Sequence, residues 1–507
     1  MGGDYNLNEK DLLNKTINGF LWVFFGNGIK TVSKLVFLII MARLLFPEDF
    51  GLVASLGIII SLMEVINRAG IAPSLINIKE LNKNHISTGF SLSLILGVLL
   101  YIFVYSLAPI FQNFLNANEE FILAIRVMGV LFIINGISRV SDGMLQRNLN
   151  FKRINLIQII SMVIGYTLVG LILGFLGFGY WALIIAEMTK KTLNTILLFI
   201  SYKHSLSVKI KRKEFKEILS YGGGFTLGTL IDYLANRGDE IIIARVLGTI
   251  SLGYYTRAFQ LMSVPVEILN QIFEKVLFPV MSKIKDNPKK LADIYLKNIS
   301  FIFLISLPFS LYLFLLSSEI IRAVLGPNWE EAIGVLKVLA IGMVFRSGYK
   351  VSESLANASG AVYKKAGRQA IFVTFIFIFG WIGHYWGLVG ISSGILLAFI
   401  LNFLIMQYLT ITLVPLSFSD ILKSILPSII LTFVSGVPLY ILTITLRNID
   451  LNFILIVLIT FTLYIILILS LIKIKPILFL GYDGAKLLKS ILIRFKLEKY
   501  YYINISK

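Results

Sequence analysis

Long, nearly unbroken apolar runs recur along almost the whole chain, and they constrain its fold more than any other feature. Many runs reach about 18 residues, enough for a helix to cross a hydrocarbon layer about 30 Å thick. A β-barrel would need short strands of alternating polarity, which the sequence lacks. The sequence therefore predicts an all-α integral membrane protein with about fourteen transmembrane helices. The predicted spans are residues 17–42, 49–69, 87–111, 120–140, 154–174, 179–200, 219–245, 252–275, 298–317, 332–356, 369–385, 388–411, 425–446 and 451–472.

The amino-acid composition excludes several kinds of functional site. The chain is 57% hydrophobic and contains no cysteine, which excludes disulfides, thiolate metal sites and a catalytic thiol. Its three histidines, His85, His204 and His384, are too far apart in sequence to form a metal-ligand motif. We therefore expect no cofactor and no metal. The first apolar run lacks the pattern of a cleaved signal peptide, so the first span is expected to target the chain to the membrane.

The net charge of +19 by itself suggests a nucleic-acid partner, but the positions of the basic residues argue against one. With the N-terminus in the cytoplasm, most Lys and Arg residues fall in cytoplasmic segments, and the outer connections hold Arg43, Arg245, Arg322 and Arg447. This asymmetry predicts a multi-pass cell (inner) membrane protein with both termini in the cytoplasm. The basic stretch KIKRKEFK at residues 209–216 is then a topology signal that contacts anionic lipid headgroups, and no nucleic-acid partner is expected.

The sequence contains an internal repeat. At a shift of 202 residues, IIMARLLFPEDFG (39–51) aligns with IIIARVLGTISLG (241–253) without a gap. At a shift of 211, residues 125–142 align with residues 336–353, and this alignment pairs basic with basic and acidic with acidic residues. Because six helices separate the copies, both copies start on the same side of the membrane. The repeat predicts two parallel six-helix lobes with a substrate path between them.

The spans and the repeat together predict the domain organisation. It comprises a cytoplasmic N-terminus at residues 1–16, an N-lobe at 17–200, a basic interlobe loop at 201–218, a C-lobe at 219–411, two extra helices at 412–472 and a basic cytoplasmic tail at 473–507.

These features carry a family resemblance. The motif A-R-x-L-x(5)-G within MARLLFPEDFGLVASL, the later GFLGFGYWALIIAEM, the two lobes and the extra C-terminal helices resemble the polysaccharide-transporter branch of the MOP exporter superfamily. This branch contains the Wzx-type, or O-antigen, flippases of lipopolysaccharide biosynthesis. The resemblance covers roughly residues 10–475 and implies a MOP/MATE-like fold. It also implies transport of polyprenyl-pyrophosphate-linked oligosaccharides from the cytoplasmic to the outer leaflet.

Charged residues inside the spans are the candidate site. On the first helix, Lys30 and Lys34 share one face, and at the shift of 202 they align with Asp232 and Asn236. A charge within a span is costly, so such residues are expected to line a water-filled cavity. The cations expected to bind substrate are Lys30, Lys34, Arg126, Arg237, Arg257, Lys337 and Arg346. The carboxylates expected to couple transport to H⁺ or Na⁺, or to act as counter-charges, are Asp232, Asp239 and Glu64.

Several alternatives remain open from the sequence. Lys30, Lys34, Asp232 and Asp239 would also suit a purely structural salt bridge between lobes. A MATE-like multidrug exporter, or an exporter of another lipid-linked precursor, would share the fold, although an excess of cations suits an anionic glycolipid better. A membrane-embedded polymerase or ligase usually needs large outer loops, which are absent, so we expect no enzyme.

The expected partners are a lipid-linked oligosaccharide, membrane lipids, the coupling ion and polysaccharide polymerase or assembly proteins.

Overall fold

The computed structural model describes residues 9–68, 70–272, 278–449, 451–481 and 484–485. The predicted N-terminal segment therefore lies outside the described residues up to residue 8, and most of the predicted tail lies outside them from residue 486. The described part is helical and contains no strand, and the chain separates into two compact units, Met1–Gly253 and Tyr254–Lys507.

The first unit begins with helices that follow one another through short turns. They are α1 Glu9–Leu44, α2 Pro47–Arg68, α3 Ile71–Asn77, α4 Lys83–Phe114, α5 Glu120–Gly129, α6 Leu131–Arg147, α7 Phe151–Ile160, a π-helical segment Ser161–Leu168 that continues into α8 Val169–Phe175, and α9 Tyr180–Ser201. Helix α10, Arg212–Ile272, begins in this unit and extends beyond Gly253.

The second unit contains the remaining helices. They are α11 Phe278–Lys283, α12 Pro288–Leu315, α13 Ser317–Val324, a 3₁₀ turn Pro327–Trp329, α14 Ala332–Ala358, α15 Val362–Gly383, a 3₁₀ turn His384–Trp386, α16 Gly387–Leu413, α17 Phe418–Asn448 and α18 Phe453–Ile474.

Nine helical stretches of the described chain are long and apolar enough to cross a membrane, and one of them, Val362–Leu413, contains both α15 and α16. The protein is therefore a multi-pass membrane protein. The expected fourteen spans, the two six-helix lobes and the domain boundaries stay predictions.

Local sequence explains where the helices start. Helix α2 begins with Pro47, and the first residue of a helix needs no N–H group because it has no partner within the helix. The preceding Phe46 amide donates to Asp49 Oδ2 at 3.0 Å. Helix α4 begins with a reciprocal capping box, in which the Asn82 side chain accepts from the His85 amide at 2.9 Å. Ser417 and Asp420 form the same arrangement at the start of α17.

Helix α10 bends at Gly248, which has φ 78° and ψ −176°. A positive φ at this position favours glycine over any residue with a Cβ. The bend falls between the spans predicted at residues 219–245 and 252–275. At the repeat shift of 202 residues it corresponds to Phe46, which lies in the turn between α1 and α2. The same structural break therefore occurs at equivalent places in both copies of the repeat.

The segment between α9 and α10, residues 202–211, runs along α4. The Lys209 amide donates to Ser91 Oγ at 2.8 Å, and the Lys211 amide donates to Thr88 Oγ1 at 3.2 Å. Ile218 on α10 then joins a buried apolar cluster with Ile71, Leu75, Phe90, Val140 and Met144. These contacts attach the start of α10 to the first unit.

In the second unit, a buried polar network connects three helices. The Tyr295 hydroxyl on α12 donates to Gln407 Oε1 on α16 at 2.5 Å and lies 2.9 Å from Ser352 Oγ on α14. The two C-terminal helices α17 and α18 pack beside this core, where Arg447 on α17 binds Glu319 on α13 at 2.7 Å. A buried polar network with its partners in place favours one arrangement of the helices.

Candidate functional site

Lys30 points from α1 toward α7 and away from the exposed side of its helix. Its Nζ donates to Gln158 Oε1 at 2.7 Å, whereas Val32 is 60% exposed and Ile29 is 47% exposed. Lys34 lies one turn further along and is exposed. Ile29 and Val32 therefore lie on an exposed side of α1, and Lys30 contacts α7 of the same unit, whereas Lys34, which shares its face in the sequence pattern, is exposed. That these lysines line a cavity stays a prediction.

The charged residues of α10 form a local cluster in the first unit. Arg237 Nη1 donates to both carboxylate oxygens of Glu240, at 2.7 Å and 2.5 Å. Asp239 is buried and accepts a hydrogen bond from the Glu240 amide at 2.9 Å, whereas Asp232 is exposed. Tyr233 fixes this part of α10 against α2 by donating to the Ile58 carbonyl at 2.5 Å. Arg237 is thus held by a carboxylate of its own helix.

Glu64 on α2 is the centre of a second cluster. It accepts hydrogen bonds from Lys191 Nζ on α9 and from Asn135 Nδ2 on α6, both at 2.8 Å. Arg139 and Asp142 on α6 interact electrostatically in the same cluster, which joins three helices of the first unit.

The sequence reasoning missed Lys191. The charges predicted to line a cavity came from other spans and left out the sixth, residues 179–200, although Glu187, Lys190 and Lys191 lie in it. The same search for charges within apolar runs would have found them. The identity of the partner, in contrast, required the structure, because Glu64 and Lys191 are 127 residues apart.

In the second unit, Arg346 on α14 is held mainly by aromatic rings. Its guanidinium carbon lies 4.5 Å from the centre of the Phe259 ring and 5.8 Å from that of Phe399. One turn further along the helix, Lys350 binds Glu353 at 2.8 Å. Arg346 Nη1 and Glu353 Oε1 are buried without a hydrogen-bond partner among the described residues.

The pair Lys350 and Glu353 aligns with Arg139 and Asp142 at the repeat shift of 211 residues. Both pairs are spaced three residues apart and consist of a cation followed by a carboxylate. Asn135, which binds Glu64, aligns with Arg346. The two units therefore place polar side chains at equivalent positions of α6 and α14.

Three further cations expected from the sequence are Arg126, Arg257 and Lys337. Arg126 stacks on Tyr105 at 4.5 Å from the ring centre, and Arg257 is half-buried. Lys337 is exposed and lines a groove of about 340 Å³ that also contains Glu319 and Arg322. No group of three His, Asp or Glu side chains that could hold a metal occurs in the described part of the chain.

The sequence model of a family described as "Polysaccharide biosynthesis protein" matches residues 40–334, which is more than half of the chain. Lipopolysaccharide biosynthesis protein WzxC of Escherichia coli (strain K12) is 27% identical over 408 residues, which cover 79% of this chain and 82% of that protein. Teichuronic acid biosynthesis protein TuaB of Bacillus subtilis (strain 168) is 24% identical, with coverage of 84% and 88%. A putative O-antigen transporter of Shigella flexneri is 24% identical, with coverage of 78% and 97%.

Two solved structures show the same fold at low sequence identity. The lipid II flippase MurJ, in an inward closed conformation, superposes with a TM-score of 0.71 at 17% identity, covering 89% of this chain and 99% of that chain. An inward-facing multidrug resistance MATE transporter of the MOP superfamily superposes with a TM-score of 0.62 at 19% identity, covering 76% and 95%. The helical architecture is therefore MOP/MATE-like.

Proposed function

Because the chain belongs to the polysaccharide biosynthesis protein family, we propose that it is a flippase for a lipid-linked oligosaccharide. It would move polyprenyl-phosphate- or pyrophosphate-linked sugar units from the cytoplasmic to the outer leaflet of the cell membrane for surface polysaccharide biosynthesis. The relatives support this substrate class, since their names refer to lipopolysaccharide, teichuronic acid and O-antigen. The name of the Shigella flexneri relative, a putative O-antigen transporter, supports transport.

The observation that carries the proposal is the position of Lys30. A lysine near the middle of a spanning helix costs about 2.5–3.5 kcal/mol on insertion scales. Lys30 nevertheless occurs in α1 and turns toward Gln158 rather than toward the exposed apolar side of the helix. A cation kept at this cost, in a polar environment, suits the binding of a phosphate or pyrophosphate.

Transport would proceed by alternating access and be coupled to H⁺ or Na⁺. In this scheme the substrate phosphate competes with a carboxylate for a cation, and the released carboxylate takes up the coupling ion. Asp232 and Asp239 remain candidates for that carboxylate. Glu64 is the third candidate, and its contact with Lys191 provides the kind of cation–carboxylate pair that the scheme needs.

A MATE-like multidrug exporter is the second candidate, and the likeness to a solved MATE transporter favours it. The two candidates differ in the charge of the cargo. The cations on α1, α10 and α14 suit an anionic substrate, and the family membership points to polysaccharide assembly. Retention of a fluorescent lipid-linked glycan in the inner leaflet of proteoliposomes, with and without the protein, separates the two candidates.

For the site, we expect the double variant Lys30→Ala, Lys34→Ala to lose transport while still inserting into the membrane. Removing lysines from a span eases insertion, so a failure to insert is not the expected cause of the loss. Lys30→Arg should keep partial activity, and Lys30→Glu should have none. The measurement is flipping of a lipid-linked glycan in proteoliposomes, with Lys289→Ala, an exposed cation at the start of α12, as the matched control. Wild-type flipping by the double variant would leave only a structural role for these lysines.

For the orientation, we expect a cysteine introduced at Lys213 to be shielded from an impermeant thiol reagent in intact cells and labelled after lysis. The chain has no cysteine of its own, and Lys213 is exposed at the start of α10. Tyr385→Cys, at a side chain that is 75% exposed in the turn between α15 and α16, is the control that should be labelled in intact cells. The reverse pattern would contradict the orientation and the direction of transport.

A further inference from the structure

A groove of about 670 Å³ lies between α15 and α16 at one end of the two helices. Tyr363, Lys364 and Arg368, from the first two turns of α15, line its rim together with Tyr408, which lies close to the end of α16. Ile371 and Leu404 line it further along the two helices.

The polar end of the groove is purely cationic. Helix α15 carries Lys364, Lys365 and Arg368 and has no Asp or Glu, and α16 has no charged residue at all. Arg368 Nη1 donates to the Lys364 carbonyl at 3.1 Å, which places the two cations together and uses only one of the five N–H groups of the guanidinium. No wall of the groove therefore offers a carboxylate to these cations.

Helix stability does not explain this arrangement. Cations at the N-terminal end of a helix are unfavourable with the helix dipole, and three of them within two turns also repel one another. The positive-inside rule accounts for basic residues at this end but not for a cavity beside them. An anion in the groove would offset both the unfavourable interaction with the helix dipole and the repulsion between the cations.

The remainder of the groove is shaped for hydrocarbon. Ile371 lies about 4.5 Å further along the helix axis than Arg368 and is 45% exposed, and Leu404 on the facing helix is 41% exposed. Tyr363 and Tyr408, 93% and 63% exposed, lie at the level of the cations, where aromatic side chains meet lipid headgroups. The charged and aromatic residues at one end and the aliphatic residues further along thus match the headgroup and the acyl chains of a phospholipid.

We propose that this groove is a binding site for an anionic phospholipid, whose phosphate binds Lys364 and Arg368 and whose acyl chains lie along Ile371 and Leu404. A sugar-bearing headgroup fits less well, because apart from the two cations and the two tyrosines the lining is apolar or glycine. The site is independent of the flippase proposal, since it requires neither the transport cycle nor the charged clusters of the first unit.

The test measures lipid retained by the purified full chain, by native mass spectrometry after titration with phosphatidylglycerol or phosphatidylcholine. Wild type should retain phosphatidylglycerol in preference to phosphatidylcholine. A basic residue near an anionic headgroup contributes about a 5-fold factor in binding, so Lys364→Gln, Arg368→Gln should weaken phosphatidylglycerol retention by about 30-fold. Lys289→Gln, Lys290→Gln removes two exposed cations at the start of α12, outside this groove, and should leave retention unchanged.

A second variant tests the cavity without changing any charge. Gly367 lines the groove, and a Cβ built there would meet nothing within 4 Å. Gly367→Leu should therefore fold normally, fill the groove and reduce phosphatidylglycerol retention at unchanged net charge. The proposal is overturned if Gly367→Leu and the Lys364, Arg368 double variant both retain phosphatidylglycerol like wild type. It is also overturned if an equal concentration of polyprenyl-phosphate-linked oligosaccharide displaces phosphatidylglycerol from wild type but not from Gly367→Leu.

Discussion

Gly51→Ala is expected to abolish the stable fold of the first unit, although it adds only one methyl group. A Cβ at Gly51 would overlap with the carbonyl oxygen of Thr249, and a Cβ at Gly253 would overlap with the carbonyl oxygen of Pro47. Backbone cannot move aside as a flexible side chain can, so we expect a loss of about 3 kcal/mol or more. Thermal unfolding followed by size-exclusion chromatography of the detergent-solubilised protein measures the effect.

The same helix provides the control. Gly57 is also on α2, but a Cβ there would meet nothing within 4 Å. Gly57→Ala should therefore be neutral or stabilising, because alanine is favoured over glycine in a helix by about 1 kcal/mol. Equal stability of the Gly51→Ala and Gly57→Ala variants would contradict the close crossing of α2 and α10.

The crossing also gives a structural meaning to the repeat in the sequence. Pro47 and Thr249 are equivalent at the shift of 202 residues, and so are Gly51 and Gly253. Gly51 packs against the backbone of Thr249, and Gly253 packs against the backbone of Pro47. The two contacts are therefore equivalent, as at an interface with two-fold symmetry. Gly253→Ala should consequently lose as much stability as Gly51→Ala.

The fold class could be predicted from the sequence because apolar runs of spanning length determine it. The resemblance to the polysaccharide-transporter branch is confirmed by the family match and by the relatives, and the MOP/MATE-like neighbours agree with it. The A-R-x-L-x(5)-G motif contributed to that prediction, and its final glycine is Gly51, where the packing tolerates no side chain. A motif of this kind indicates a fold and not a substrate.

The candidate site was less predictable. Helical periodicity predicts which residues of α1 share a face, but it did not identify Gln158 as the partner of Lys30. The partner of Glu64 and the rings around Arg346 depend on contacts between segments that are far apart in sequence. The groove between α15 and α16 likewise depends on two helices whose polar residues are 40 or more positions apart. The roles of the predicted site residues stay proposals.

Lys191→Met is the other substitution with a large expected effect. It leaves Glu64, whose side chain is only 13% exposed, without its cation. Removing one partner of a buried ion pair costs about 3–5 kcal/mol, and the lower end of this range applies because the Lys191 side chain is 28% exposed. The adjacent Lys190→Met is the control, since Lys190 pairs with Glu187 on its own helix and also lies over the Tyr166 ring. We expect the control to lose less stability than Lys191→Met, because the carboxylate it leaves behind, Glu187, is 25% exposed, against 13% for Glu64.

The double variant Glu64→Gln, Lys191→Met separates a structural role of Glu64 from ion coupling. It removes both charges, while the amide oxygen that replaces the carboxylate can still accept the hydrogen bond from Asn135 Nδ2. The double variant should therefore recover most of the stability lost in Lys191→Met alone, as measured by thermal unfolding.

Flipping of a lipid-linked glycan is then measured with and without an imposed H⁺ or Na⁺ gradient. If Glu64 is the coupling carboxylate, the stable double variant flips without responding to either gradient. A wild-type response to the gradient would assign Glu64 to stability alone and leave Asp232 and Asp239 as the coupling candidates.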